Sequence, residues 1–286
     1  LRKPCRERMT DMKAAFKACL LFVLLALVGP GNALALTSQQ AVEKIRAAFD
    51  EKTIRQGLDE VRYFKKAGFI YQPALSVPRS GTCPIEEIWD QKAVMSGMVA
   101  CDRTNAFFYG TYEDLRQETE ILRKLMPQVA PLGVTPEEQK TLQKEMDTEK
   151  GRAMLARRIG HVLDELLYHA GRSEKDLRFL CAHLYGDQIE RFYTACVMVL
   201  AAAESGTLTP LYHVRVDWGR KMADLLLEFS AAGLVGDRAK SLERHAKLKE
   251  LYRLCSANNY SPPLANLRKI FKICQEERNH YIVPCQ

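Results

Sequence analysis

The sequence predicts an all-α protein, a multi-helix bundle, and three observations support this fold class. Apolar residues recur every three to four positions along nearly the whole chain, which is the period of an amphipathic helix. Gly, Pro and Ser/Thr separate these stretches at the intervals expected of helix ends. No stretch alternates polar and apolar residues between hairpin turns, so strands are not expected. With 286 residues, 47% of them hydrophobic, the chain is long enough to bury a sizeable core.

The first 35 residues are expected to be a cleaved signal peptide that precedes the bundle. A short basic segment leads into an apolar run over 18–29, and Ala33-Leu34-Ala35 has the small-x-small pattern of a cleavage site. The sequence predicts cleavage after Ala35 and a periplasmic or secreted protein. Translation is expected to start at Met9 or Met12.

An uncleaved membrane anchor over 18–36 is the alternative interpretation of this segment. Its 19 residues approach the ~20 that span a bilayer. Pro30-Gly31-Asn32, however, interrupts the run where an anchor would continue with apolar residues. No permanent membrane anchor is therefore expected.

The charge balance argues against a nucleic-acid partner. Residues 1–35 hold six Lys/Arg and two acids, so the net charge of +7 for the whole sequence falls to +3 once they are removed. A nearly balanced chain provides no strong positive field for a polyanion.

Disulfide bonds are expected because an exported chain with this many cysteines usually contains them. One cysteine must stay unpaired in a monomer, since the number after residue 35 is odd. A bridge between Cys274 and a folded-back C-terminal tail is the first choice, and burial as small apolar residues is the alternative, above all for Cys181 and Cys196. Cys83 precedes an expected helix, where a thiol is either reactive or disulfide-bonded. The candidates are Cys83, Cys101, Cys181, Cys196, Cys255, Cys274 and Cys285.

Residues 36–130 are expected to form an N-terminal helical subdomain. Two amphipathic helices begin near Ser38 and Ile54, and an irregular segment covers 69–83. A helix then runs from Pro84 to about Ala100, and another runs through 115–125. Between them lie clustered aromatic residues that form either core or an apolar ligand pocket, with Phe69 and Tyr71 as further members. The cluster comprises Phe107, Phe108, Tyr109 and Tyr112.

A polar linker or helix over 131–150 is expected to separate this subdomain from a C-terminal helical bundle over 151–286. Thr135-Pro136 begins the polar helix, and a wide apolar stripe over 155–167 follows. Gly186-Asp187 is a candidate helix break. The segment 195–203 is apolar on every side and should therefore be covered by its neighbours. Three further helices are expected around 211–229, 242–254 and 264–273.

One constellation suggests a metal site. His161, Glu165 and His169 have helical i, i+4, i+8 spacing, and imidazole and carboxylate groups bind first-row metals. The outer pair is about 12 Å apart along a helix axis, so a partner such as His183 would be needed. The alternative is a solvated flank, and neither a metal nor another cofactor is predicted.

Motifs for a nucleophile elbow, a phosphate-binding loop, a dinucleotide fold and a zinc protease are absent from the sequence. The function that the sequence favours is therefore binding of a protein partner, of inhibitor, immunity or assembly type. The alternative is a helical protein that binds a small ligand or a metal, with enzymatic activity as one possibility.

Overall fold

The computed structural model describes residues 36–66, 68–78, 89–126, 134–204, 217–260 and 262–282. Every regular element in these ranges is a helix, which confirms the predicted all-α bundle. The predicted signal peptide over 1–35, Cys83 and Cys285 lie outside the described residues. None of the helices described is both long and apolar enough to cross a bilayer.

Eleven helices occur in the described part of the chain. In chain order they are α1 (Ser38–Ala48), α2 (Glu51–Lys66), α3 (Trp89–Tyr109), α4 (Tyr112–Leu125), α5 (Pro136–Glu145), α6 (Glu149–Ala170), α7 (Glu174–Glu204), α8 (Asp217–Ala231), α9 (Arg238–Cys255), α10 (Ala257–Tyr260) and α11 (Leu264–Tyr281).

Helices α3 and α7 form the centre of the bundle. Their backbones touch at two glycines, because a Cβ on Gly97 would overlap the carbonyl of His183 and one on Gly186 would overlap the carbonyl of Val94. Only glycine permits this close approach. Helix α4 then packs on α3, and α11 packs on α7.

The remaining helices surround this pair. Helices α8 and α11 both pack on α9, while α2 packs on α6. The described residues from Ser38 onward form one compact unit, so the helices of the two predicted halves pack on each other, above all α3 on α7.

Three of the four clustered aromatic residues contribute to the core, whereas the further members Phe69 and Tyr71 line a small cavity. Phe108 is buried with Ile54, Leu142 and Leu155, and Phe107 and Tyr109 pack against this cluster. Burial of these rings favours the core interpretation over a ligand pocket.

Capping side chains fix several helix starts. Thr111 with Asp114 and Thr135 with Glu138 form complete capping boxes, and Thr148 caps α6. The predicted start at Thr135-Pro136 agrees with the structure. Each cap satisfies backbone amides that have no partner within the helix.

The structure corrects two expectations about helix ends. Helix α3 continues past Ala100 to Tyr109, because no breaker occurs before Gly110. Helix α7 is continuous across Gly186-Asp187. There the glycine serves the close contact with α3, and Asp187 is bound within the helix by Arg191, at 2.6 and 3.1 Å.

Two expectations about burial are also wrong. In 195–203 only Cys196 is fully buried. On α6 the covered stripe is narrower than expected. Leu155 and Leu167 are buried, whereas Ile159 and Val162 are exposed.

Candidate functional site

A buried ion pair joins the start of α3 to α9. Arg244 donates from Nη1 and Nη2 to the two carboxylate oxygens of Asp90, at 2.8 and 2.7 Å. Asp90 also accepts from the Asp237 amide at 3.0 Å and from Lys240 Nζ at 3.2 Å. Burial alone would raise the pKa of Asp90, but these donors outweigh burial and lower it. Asp90 is therefore ionised at neutral pH.

Both terminal nitrogens of Arg244 have further partners, whereas its buried Nε has none in the part of the chain that the structure describes. Its guanidinium also donates to the Val235 carbonyl at 2.8 Å and to the Tyr281 hydroxyl at 2.7 Å. Its charge lies 5.3 Å from the centre of the Tyr185 ring, within cation–π range. Gly236 has φ +78°, and a side chain there would collide with both Asp90 and Arg244, so the turn before α9 requires glycine.

A second set of contacts leads from this pair to the surface. Tyr185 donates to Glu277 Oε1 at 2.8 Å, and Lys247 binds the other carboxylate oxygen of Glu277. Lys247 also pairs with Glu243 at 2.9 Å. Burial and the Glu277 charge raise the pKa of Tyr185 well above its usual value, so its hydroxyl stays protonated as a donor.

These contacts end at an open groove between α9 and α11, with a volume of about 520 Å³. Glu277 is 3% exposed and lies at its floor, and Lys247 is 34% exposed. The lining is mostly charged and comprises Ala246, Lys247 and Glu250 from α9, with Ile273, Glu276, Glu277 and His280 from α11. We name this cleft the α9–α11 groove.

The α9–α11 groove has more acid than base in its lining. The charge of Lys247 is neutralised by Glu277 and Glu243. Glu250 is half-exposed and accepts two bonds of 2.7 Å from Arg253, whereas Glu276 is largely exposed and lies 3.8 Å from Lys272. An exposed ion pair with such a long contact is weak, so Glu276 is the rim carboxylate more available to another cation.

Three further carboxylates meet deep in the bundle, and we name them the acid cluster. Asp102 comes from α3, Glu118 from α4 and Glu190 from α7, and all three are buried. Arg278 from α11 donates its Nε to both oxygens of Glu190, at 3.1 and 2.8 Å. Burial and the neighbouring carboxylates raise the pKa of Asp102 well above its usual value, and burial raises that of Glu190 to about 7.

Two serine–histidine pairs occur in the described ranges, and neither is arranged for nucleophilic catalysis. Ser96 donates its hydroxyl proton to the Ala93 carbonyl at 2.7 Å, so His183 Nδ1, 2.9 Å away, must be the donor between them. Ser230 and His245 repeat this pattern, with the serine hydroxyl donating to its own helix. A base that donates to the hydroxyl cannot take its proton.

The candidate metal ligands are not brought together. His161, Glu165 and His169 are exposed on α6, whereas His183 lies on α7 and bonds to Ser96. Burial lowers the pKa of His183, which is therefore neutral. Among the described residues, no group of three or more His, Cys, Asp or Glu side chains could hold a metal ion.

The five described cysteines, Cys101, Cys181, Cys196, Cys255 and Cys274, are free thiols. Cys196, Cys255 and Cys274 come from three helices and lie near enough to influence one another electrostatically. Burial raises the pKa of Cys196 and of Cys255 to about 12, so these thiols are protonated and unreactive. The bridge predicted for Cys274 involves the tail, which lies outside the described residues.

Sequence reasoning singled out none of the residues of the Asp90–Arg244 pair or of the acid cluster. One signal could have found Glu277, because Ile270, Cys274, Glu277 and Tyr281 have the spacing of one buried helix face. A charge in such a position is either paired inside the protein or functional.

The sequence matches no family model, and it shows no significant similarity to a curated protein or to a solved structure.

Proposed function

We propose that this protein acts by binding a protein partner, and that a positively charged segment of the partner docks in the α9–α11 groove. The observation that supports this most is the groove itself, a concavity of about 520 Å³ whose only lysine is already neutralised by acids. Shape and charge thus favour the same occupant, a basic stretch of polypeptide.

The floor of the groove is preorganised. Glu277 is fixed by Tyr185 and Lys247, so its carboxylate does not have to be ordered when a partner arrives. The Asp90–Arg244 pair lies behind it and is connected through Tyr281, which follows Glu277 by one helical turn. A rigid surface loses less entropy on binding than a mobile one.

The carboxylates at the edges of the groove, which we call its rim, supply the electrostatic attraction for a basic segment. Glu250 and Glu276 lie on opposite helices, and Glu276 is only weakly neutralised by Lys272 at 3.8 Å, whereas Arg253 binds Glu250 through two bonds. A lysine or arginine of the partner can replace Lys272 at little cost and has to compete with Arg253 for Glu250. Ala246 and Ile273 leave apolar surface between the rims for the stem of such a side chain.

The expected setting is outside the cytoplasm. The signal peptide predicted over 1–35 supports export, and an inhibitor, immunity or assembly role agrees with a partner met in the periplasm or after secretion. Mass spectrometry of the purified mature protein tests this proposal. A product that begins at Leu36 would support it, and an intact N-terminus would contradict it.

Binding is tested with a fluorescein-labelled peptide of alternating Arg and Gly, followed by fluorescence anisotropy at low and high salt. The double variant Glu250→Lys/Glu276→Lys is expected to bind about tenfold or more weakly, because two attractive charges become repulsive. Added salt should weaken binding to the wild-type protein, since exposed charges are screened.

The matched control is Glu120→Lys/Glu165→Lys, which makes the same charge change on α4 and α6. Glu120 resembles Glu250 because it is an exposed acid paired within its own helix, to Arg116. The control is expected to bind within about twofold of wild type. The proposal that the groove is the binding site would be wrong if both double variants lost the same affinity for the peptide. It would also be wrong if the wild-type protein did not bind the peptide at low salt.

Free arginine amide separates the partner proposal from the small-ligand alternative. A polypeptide partner should bind much more tightly than the single amino-acid amide, because it makes several contacts at once. If the amide binds as tightly as the peptide, the groove takes a small cation and the partner proposal is wrong.

A further inference from the structure

Helix α6 has an apolar stripe on its exposed side. Ile159 is 39% exposed and Val162 is 57% exposed, and the half-buried Leu166 extends the row by one helical turn. Another side of α6 faces the bundle, where a Cβ on Gly160 would lie 3.9 Å from Ile54 of α2. We name Ile159, Val162 and Leu166 the α6 stripe.

The α6 stripe has the spacing of a coiled-coil seam. Its members are separated by three and then four residues, so they lie along one line of the helix surface. Leu155, one turn before Ile159, continues this line but is buried in the bundle. A seam of this kind packs against a second helix that runs nearly parallel or antiparallel to the first.

Two charges of opposite sign lie along one edge of the α6 stripe. Arg158 and Glu165 are exposed, and each immediately precedes a member of the stripe, so they lie on the same edge, two helical turns apart. In the part of the chain that the structure describes, neither has an ion-pair partner. The neighbouring acid Asp164, by contrast, is paired with Arg46 of α1 at 3.1 Å. Both charges on the edge are therefore available to a partner.

This order of charges is complementary to itself. When two copies of α6 pack antiparallel along the stripe, the same edge of both helices meets, and the order of charges in one copy is reversed in the other. Arg158 of each copy then faces the partner's Glu165, which gives two equivalent ion pairs about a two-fold axis. A parallel arrangement would instead bring Arg158 next to Leu163 of the other copy and leave both charges without a partner.

We propose that the α6 stripe is a homodimer interface, in which two copies of this protein pack their α6 helices antiparallel around a two-fold axis. The apolar side chains supply the area removed from water, and the two ion pairs fix the register and the direction of the helices. Each copy contributes few apolar side chains, so the interface is small and the dimer forms only at high protein concentration. This inference is independent of the α9–α11 groove, which is lined by other helices.

Sedimentation equilibrium of the purified protein provides the first test. We expect the apparent mass to rise towards that of a dimer as the concentration approaches about 1 mM. Reversal of one charge replaces two attractive contacts by two repulsive ones, so Arg158→Glu and Glu165→Arg should each weaken the dimer about tenfold or more. The matched control is Arg157→Glu, an exposed position one residue away on a different side of the helix. It should change the dissociation constant by less than about twofold.

A mixture of the two single variants tests the direction of the helices. In a one-to-one mixture each contact between the copies again pairs a positive with a negative side chain. The mixture should therefore dimerise about tenfold or more tightly than either variant alone. The double variant Arg158→Glu/Glu165→Arg should regain the wild-type dissociation constant within about threefold for the same reason.

Three outcomes would overturn the proposal. A wild-type protein that stays monomeric up to about 1 mM would leave the α6 stripe to a different protein. Failure of the mixed single variants to associate would rule out the antiparallel pairing of Arg158 with Glu165. An equal loss of affinity in Arg157→Glu would show that the contact does not depend on the edge of the stripe.

Discussion

Asp90 and Asp102 lie on the same helix, α3, about 18 Å apart along its axis. Both are buried, but the groups around Asp90 are mainly positive and those around Asp102 mainly negative. Asp90 receives Arg244 through two bonds, Lys240 and a backbone amide. Asp102 receives one backbone amide and faces Glu118 and Glu190. Positive partners lower the pKa of Asp90, whereas burial and negative neighbours raise that of Asp102.

The comparison shows that burial alone does not decide how a carboxyl group behaves. A buried carboxylate with matched donors is a fixed structural element, and it stabilises the elements that support the α9–α11 groove. A buried carboxyl group without them keeps its proton to a higher pH. One helix thus connects a rigid region to a titratable one.

The largest effect is expected from Asp90→Asn. Removal of the charge leaves the Arg244 guanidinium buried without a counterion, which should lower the free energy of unfolding by about 3 to 5 kcal/mol at pH 7. Urea denaturation followed by circular dichroism measures the change. A loss below about 1 kcal/mol would contradict the role given to the Asp90 charge.

A double-mutant cycle provides the control for this prediction. Asp90→Asn combined with Arg244→Met removes both charges, so the loss should be smaller than the sum of the single losses by about 2 kcal/mol. Strict additivity would mean that the two residues do not stabilise each other. Should Asp90→Asn alone fail to fold, recovery of a folded double variant is the corresponding readout.

The same isosteric change at Asp102 is expected to act in the opposite direction. Asp102→Asn should raise the free energy of unfolding at pH 8, because burial and the neighbouring carboxylates hold the pKa of Asp102 well above its usual value and asparagine removes the cost of burying this acid. Urea denaturation at several pH values measures it. A loss of stability at pH 8 comparable to that of Asp90→Asn would show that the two aspartates have the same role.

The sign of the pH dependence follows from the pKa of each group. Burial raises the pKa of Glu190 from 4.5 to about 7, so the folded protein keeps a proton that the unfolded chain releases near pH 4.5. The free energy of unfolding therefore falls between about pH 4.5 and 7, and the raised pKa of Asp102 extends this fall to higher pH. Asp90 has a lowered pKa, and its contribution is lost only in acid. In the Asp102→Asn variant the free energy of unfolding should fall less steeply with pH above pH 5.

The helical pattern sufficed to predict the fold class, because an amphipathic helix is encoded in local spacing. It did not predict the buried charges, since a charged residue is ordinarily assigned to the solvent side of a helix. Arg244 illustrates the available signal, because Ser241, Arg244, Leu248 and Leu251 share one buried face of α9. Its partner Asp90 lies 154 positions away, so no spacing rule could have paired them.

The candidate metal ligands show the converse error. His161, Glu165 and His169 have ligand-like spacing, but spacing along one helix does not supply the groups from other elements that complete a site. The acid cluster is assembled from α3, α4, α7 and α11, and only the folded structure brings these helices together.

A smaller effect is expected from Tyr281→Phe, which removes the hydroxyl that accepts a bond from Arg244. Because the donor is charged, the free energy of unfolding should fall by about 1.5 to 3 kcal/mol. This loss of stability should be the same at pH 6 and pH 8, since Arg244 and Asp90 stay ionised over this range. Chemical denaturation at both pH values measures it. A loss that differs by more than about 1 kcal/mol between them would place Tyr281 in the titratable region instead.

The smallest effect is expected from His161→Ala, which changes an exposed side chain outside both buried regions. The free energy of unfolding should change by at most about 0.5 kcal/mol, because the substitution breaks no buried contact. Metal analysis of the purified wild-type protein and of this variant is the accompanying measurement. Stoichiometric metal in the wild type that is lost in the variant would assign the exposed flank of α6 a binding role. The contrast between the two buried regions would then account for only part of how this protein uses its charged residues.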